Sequence, residues 1–131
     1  MNIRRISHEL RNTSWTIQDN EIIVNETTKF ILPQMYPFHS PTLMISNVSH
    51  VTLLKSYFLK HTDFCNLCHI RIPCFCCESI LSRWTPCYTC KDIYHEFLVF
   101  KRRVYDLNVL HQLYNKNIPD IIIQEISSYL L

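Results

Sequence analysis

The chain opens with apolar positions at three- and four-residue spacing. Ile3, Ile6 and Leu10 share one helical stripe, Arg4, Arg5, Glu9 and Arg11 fall on the other side, and Asn2 is placed to cap the first turn, so the spacing predicts a short amphipathic helix over 3–11. The period then changes. Positions 14–18, 21–25 and 29–32 are β-branched or aromatic runs, with Asp19-Asn20 between the first two as a hairpin turn, and 42–46 reads as a further strand. Between these strands, Pro33, Pro37 and Pro41 each lack a donor and restrict the residue before them, which predicts a stiff irregular loop. Positions 51–59 fit either a strand or a helix.

After a cysteine-rich stretch at 64–92, which is expected to be irregular, the pattern turns helical. Ile93, Phe97, Phe100 and Val104 repeat at three and four, with Lys101-Arg102-Arg103 in the last turns, where cations complement the helix dipole. A second short helix is predicted over 107–114, and a third begins at Pro119 and runs through Ile122, Gln124, Ile126 and Tyr129. The order predicts an α+β fold: one domain over 1–131, an antiparallel sheet meander, an N-terminal helix, and C-terminal helices packed on one side of the sheet.

Composition sharpens this picture at two points. Nearly half the residues are apolar and 18% are charged, which excludes a disordered chain, while a formal charge of +2 is too small to argue for a specific nucleic-acid partner. There is no glycine, so positions needing a positive φ must fall to Asn or Asp, and Asp19-Asn20 and Asn115-Lys116-Asn117 are the expected turns. Isoleucine occurs 16 times and alanine never, a bias that suits an AT-rich genome and a viral protein. The first ten residues carry charges where a secretory signal needs its apolar run, and no apolar segment is long enough to span a bilayer. An intracellular, cytoplasmic protein without a membrane partner is expected, in the host cytoplasm for a viral chain.

In a reducing compartment, closely spaced cysteines point to metal or catalysis rather than to a disulfide framework. All seven cysteines lie in the stretch 64–92, at three C-x-x-C spacings: Cys65/Cys68, Cys74/Cys77 and Cys87/Cys90. Cys65 and Cys68, then eighteen residues, then Cys87 and Cys90 is a spacing read as a closed four-thiolate zinc site, since each turn brings two sulfurs to one tetrahedral ion. The alternative second pair is Cys74 and Cys77, separated from the first by five residues. A RING finger would need a histidine shortly before a C-x-x-C pair in the middle of the series, and none is present.

Three segments resemble the ubiquitin-conjugating (E2) and RWD-like superfamily, in the same order along the chain. Arg4-Arg5-Ile6-Ser7-His8-Glu9-Leu10 resembles the family's opening helix. Tyr36-Pro37-Phe38-His39-Ser40-Pro41 fits its Y-P-x-x-x-P loop in the Y-P-F form of E2s, and Cys76 precedes Trp84-Thr85-Pro86 by the eight residues that separate the E2 cysteine from its Trp-Ser-Pro. The joining sequence is unmatched. The resemblance implies an E2 of the ubiquitin system or an inactive protein-binding derivative. In the active case Cys76 would be the nucleophile that carries ubiquitin as a thioester. Phe38, Trp84 and Pro86 would face a ligase, and Arg4 and Arg5 the activating enzyme.

The departures from the family pattern are specific. The segment between the opening helix and Y-P-F is short, and the longer one between Y-P-F and Cys76 contains no His-Pro-Asn motif, whose asparagine stabilises the oxyanion during transfer. The cysteine-rich insertion stands in its place. A zinc-binding interaction module unrelated to ubiquitin, with Trp84 and Tyr88 packed around the metal, accounts for the cysteines without the resemblance.

Overall fold

A computed structural model describes residues 3–131, so the expected cap Asn2 lies outside the described residues. The fold is α+β, a five-stranded antiparallel sheet with helices at both ends. Helix α1 (Ile3–Glu9) leads into the meander β1 (Thr16–Gln18), β2 (Glu21–Ile23), β3 (Thr28–Ile31), β4 (Thr42–Ile45) and β5 (Val48–Ser49), whose spatial order follows the chain. Then come α2 (His50–Leu59), α3 (Thr62–Leu67), α4 (Phe75–Glu78), a 3-10 turn (Ile80–Arg83), α5 (Cys90–Asn115) and α6 (Asp120–Leu130).

Turn chemistry sets the sheet register. Gln18 opposes Glu21 across Asp19-Asn20, and Asp19 has a φ of 55°. Ile45 opposes Val48 across Ser46-Asn47, both with positive φ, as a tight two-residue hairpin requires. Asn12, Asp19, Asn47 and Asn117 carry the left-handed conformation that glycine would usually take, as expected, and Ser46 and His69 carry it as well. Strand β5 has no counterpart among the expected elements, because its turn lacks the usual glycine and its two residues are too few to show a period.

Alternation along β2, β3 and β4 puts Ile22, Phe30 and Leu43 in one cross-strand row, all fully buried. Complete burial of side chains of this size stabilises by about 1.5–3 kcal/mol each. Trp15 joins the sheet to α5 by packing on Phe30 at 5.6 Å and edge-on to Tyr94 at 5.5 Å. On the other side of α5, Phe58, Phe75 and Phe100 form an aromatic cluster with centroids 5.0–6.4 Å apart.

Four expectations need correction. Positions 93–114 lie within one continuous 26-residue helix, Cys90–Asn115, rather than in two, because nothing around Tyr105-Asp106 breaks it. Asp106 is buried and bonds Arg102 one turn back at 3.5 Å. Lys101-Arg102-Arg103 therefore lies mid-helix, away from the helix end, with each cation over a ring, on Phe97, Tyr105 and Phe100 respectively. In α1 the buried face is rotated: Ile3 is 76% exposed, while Glu9, three residues after the buried Ile6, is 4% exposed. Finally, the cysteine-rich stretch is not irregular throughout, since α3 and α4 form within it.

Candidate functional site

The buried Glu9 marks the meeting point of three distant segments. Helix α5 starts at Cys90 behind the N-cap Thr89, whose hydroxyl accepts from the Asp92 N–H at 3.3 Å while the Asp92 carboxylate accepts from the Thr89 N–H at 2.8 Å. The Cys90 N–H, another donor without an intrahelical partner, goes to Glu9 Oε1 at 2.7 Å. The other oxygen of Glu9 accepts from the Tyr36 hydroxyl and from Arg5 Nε, the latter at 2.9 Å. Arg5 also donates to the Tyr88 carbonyl. A carboxylate at a helix N-terminus is electrostatically favoured, so α1 is tied to α5 through charge as well as packing.

Tyr36 carries this network into the Y-P-F loop. Its hydroxyl stands 3.6 Å from Cys90 Sγ, and burial together with the neighbouring thiol raises its pKa and keeps it a donor. Cys90 is buried, and desolvation and then the Glu9 charge push its thiol up to about 12. Trp84 stacks obliquely on Tyr36 at 6.3 Å and on Tyr88 at 6.0 Å, and its Nε1–H donates to the Pro37 carbonyl at 2.8 Å. Phe38, next along the loop, is 69% exposed and Met35 is 54% exposed. Pro86 is half-buried and Arg4 is exposed, whereas Arg5 is engaged as above.

The other cysteines separate into three environments. Cys74, Cys76 and Cys77 are exposed, and their sulfurs all lie within 4.8 Å of one another, so this cluster could hold a metal ion. Phe75, buried among Phe58 and Phe100, anchors the turn from inside, and the Cys74 carbonyl accepts from the N–H groups of Cys77 at 3.1 Å and Glu78 at 2.7 Å. Hydrogen bonding from Cys76 lowers the pKa of Cys74, and donating to Cys74 and Cys77 pushes Cys76 up to about 11. Cys65 and Cys68 are buried in and just after α3, where burial and then Cys68 push Cys65 up to about 11, and burial and then Asp120 raise Cys68. Cys87 is exposed beside Thr85.

The expected four-thiolate set is thus not assembled. Among the described residues, no three of Cys65, Cys68, Cys87 and Cys90 lie close enough together to share one ion, and Cys90 is occupied with Tyr36 and Glu9. Cys74 and Cys77, the alternative second pair, are brought together, with Cys76 rather than with Cys65 and Cys68.

Two buried polar groups had no part in the sequence reading. Glu96 Oε1 accepts from the Ile80 N–H at 2.8 Å, while Oε2 accepts from Ser79 Oγ at 3.0 Å and meets His50 Nε2 at 3.4 Å. Burial alone would raise its pKa, but the hydrogen bonds from His50, Ile80 and Ser79 outweigh it and hold the carboxylate below its ordinary 4.5. Glu96 thereby fastens the end of the cysteine turn to α5. Farther along α5, His61 and His111 share a hydrogen bond between Nδ1 atoms at 2.8 Å, under Phe64 stacked on His111 at 4.7 Å. An acidic residue among the apolar positions Ile93 and Phe97 is the one available sequence signal for Glu96.

The chain matches no family model, no curated protein and no solved structure. Among the described residues no helix is long and apolar enough to cross a membrane.

Proposed function

We propose that the chain is a diverged E2/RWD-like protein that serves the ubiquitin system as a protein-binding derivative, without conjugating activity of its own. One observation carries the reading. The opening helix, the Y-P-F loop and the Trp84 segment, which carry the resemblance separately in sequence, converge at a single junction, closed by the Trp84 to Pro37 hydrogen bond of 2.8 Å and by Glu9. The opening helix, the Y-P-F loop between β3 and β4, the cysteine turn, Trp-x-Pro and the helix α5 also follow one another in the order the resemblance implies. At that junction Phe38 and Met35 offer solvent an apolar tip of the kind a ligase or activating enzyme would grip.

Transfer chemistry is poorly supplied. Cys76 is exposed, but its neighbouring thiols push it up to about 11, so little thiolate is present at neutral pH. The chain also contains no His-Pro-Asn motif, whose asparagine would stabilise the oxyanion. Incubation with activating enzyme, ubiquitin and ATP should give no reducible adduct. Titration of isotope-labelled protein with activating enzyme and a panel of RING domains should shift the amides around Phe38 and Thr85, with the response lost in Phe38→Ala. A thioester lost in Cys76→Ser would make the protein an active E2, and no response to any of these partners would remove it from the ubiquitin system.

The cluster of Cys74, Cys76 and Cys77 favours a second reading, a zinc-binding interaction module with no relation to ubiquitin. The same titration separates the two, because that module has no reason to recognise activating enzyme or RING domains.

A further inference from the structure

We propose that Cys74, Cys76 and Cys77 form a zinc site of three thiolates with an open fourth position, a different site from the closed four-cysteine one the spacing suggested. The three sulfurs lie within 4.8 Å of one another, and Cys76 and Cys77 are 3.6 Å apart. Around a tetrahedral zinc with bonds of about 2.3 Å, ligand sulfurs sit about 3.8 Å apart. The cluster therefore needs a contraction of about 1 Å at most, within reach of side-chain rotation alone.

The turn that presents the sulfurs is fixed from behind. Phe75 is buried among Phe58 and Phe100, the Cys74 carbonyl closes the turn, and Glu96 clamps the residues that follow it. Soft thiolates select zinc over magnesium or calcium. No fourth histidine, cysteine or carboxylate joins the cluster among the described residues, and all three ligands face solvent. The fourth position is therefore filled from outside the chain, by water in the isolated protein. It opens beside an apolar cavity of about 320 Å³ lined by Phe58, Leu59, Ile72 and Pro73 as well as by Cys74 and Cys76. Loading exchanges three S–H bonds for three Zn–S bonds, releases the thiol protons to solvent and leaves the site with one negative charge.

Full-length protein kept reduced with a phosphine and titrated with cobalt(II) should bind one equivalent, with sulfur-to-cobalt charge-transfer absorption that zinc abolishes. Imidazole should perturb that spectrum, because the fourth position is exchangeable. Cys74→Ser, Cys76→Ser and Cys77→Ser should each weaken zinc binding by about tenfold or more, since even losing a group that only supports a ligand costs 10–100-fold. These side chains are exposed, so circular dichroism of each variant should be unchanged. The doubly substituted Cys65→Ser/Cys68→Ser and the single Cys87→Ser should keep the cobalt spectrum. Absence of charge-transfer absorption overturns the proposal, as does a spectrum that survives the triple substitution and disappears with Cys65 and Cys68. Indifference to imidazole overturns the open position. None of these outcomes bears on recognition at Phe38, so this site and the ubiquitin reading stand or fall separately.

Discussion

Glu9 and Cys90 lie 81 positions apart, and the carboxylate of the first accepts the backbone N–H of the second at 2.7 Å in the protein interior. One oxygen of Glu9 thus completes the N-terminus of α5 while the other gathers Tyr36 and Arg5. Glu9→Ala would leave the Cys90 N–H buried without a partner and the Tyr36 hydroxyl with only the weakly accepting Cys90 thiol, and a stranded buried donor costs about 1–3 kcal/mol. A loss of about 3 kcal/mol is expected from urea unfolding, with Glu9→Gln milder because it keeps one acceptor. If Glu9→Ala unfolds like the parent protein, the network is not what docks α1.

Trp84 makes a narrower test. Its indole donates to the Pro37 carbonyl, and Trp84→Phe keeps the ring contact with Tyr36 while removing that donor. Stability should fall by about 1 kcal/mol. Hydrogen exchange should quicken at Phe38 and His39, whose N–H groups bond back to Met35, without change in the sheet. Uniformly faster exchange would mean that Trp84 supports the whole core rather than the Y-P-F loop.

Stability should also depend on pH in two steps with assignable causes. Burial, with the neighbouring His111 and Lys60, lowers the pKa of His61, although a hydrogen bond with Asn108 opposes the shift. The unfolded chain therefore takes up this proton first, and stability begins to fall as pH drops below the ordinary 6.5 of histidine. Glu96 is held below 4.5, so its contribution is complete above that value and is lost as pH falls through its lower folded pKa. Urea midpoints measured from pH 8 to pH 3 should show both declines, the upper one absent in His61→Asn and the lower one in Glu96→Gln. A midpoint that rises between pH 7 and pH 5 would contradict the lowered pKa of His61.

Helices α1 and α6, the first part of α5 and most strands were legible because their signals are local. Period and turn chemistry place Phe30 and Leu43 in strands and Ile93 and Phe97 on a helix without knowledge of the rest of the chain. What was not legible is pairing over distance. Glu9 reads as a surface residue of an amphipathic helix, and only the arrival of Cys90 and Tyr36 from elsewhere makes its burial favourable. The same limit explains the cysteines. C-x-x-C spacing says that two sulfurs can meet, but the helices that bury Cys65 and Cys90 in different surroundings decide which of them do. Trp84 falls between these cases, since a resemblance quoted it while its bond to Pro37 could come only from the fold.

Those separate surroundings should appear as a graded thiol reactivity in metal-free, reduced protein. Cys74, Cys76, Cys77 and Cys87 are exposed and Cys65, Cys68 and Cys90 are buried, so alkylation under native conditions should divide into four accessible and three protected thiols. Within the accessible set the rate follows thiolate content, and Cys74, whose pKa is lowered by the hydrogen bond from Cys76, should be modified first. Cys90, pushed up to about 12 and enclosed by Tyr36 and Glu9, should react only on the timescale of unfolding. Mass spectrometry of peptides after timed iodoacetamide quenching resolves the order, and repeating it with zinc should shield Cys74, Cys76 and Cys77 while leaving Cys87 as reactive as before. Rapid labelling of Cys65 or Cys68 alongside Cys74 would show that the region around α3 opens in solution, and shielding of Cys87 by zinc would return it to the metal shell that its spacing first suggested.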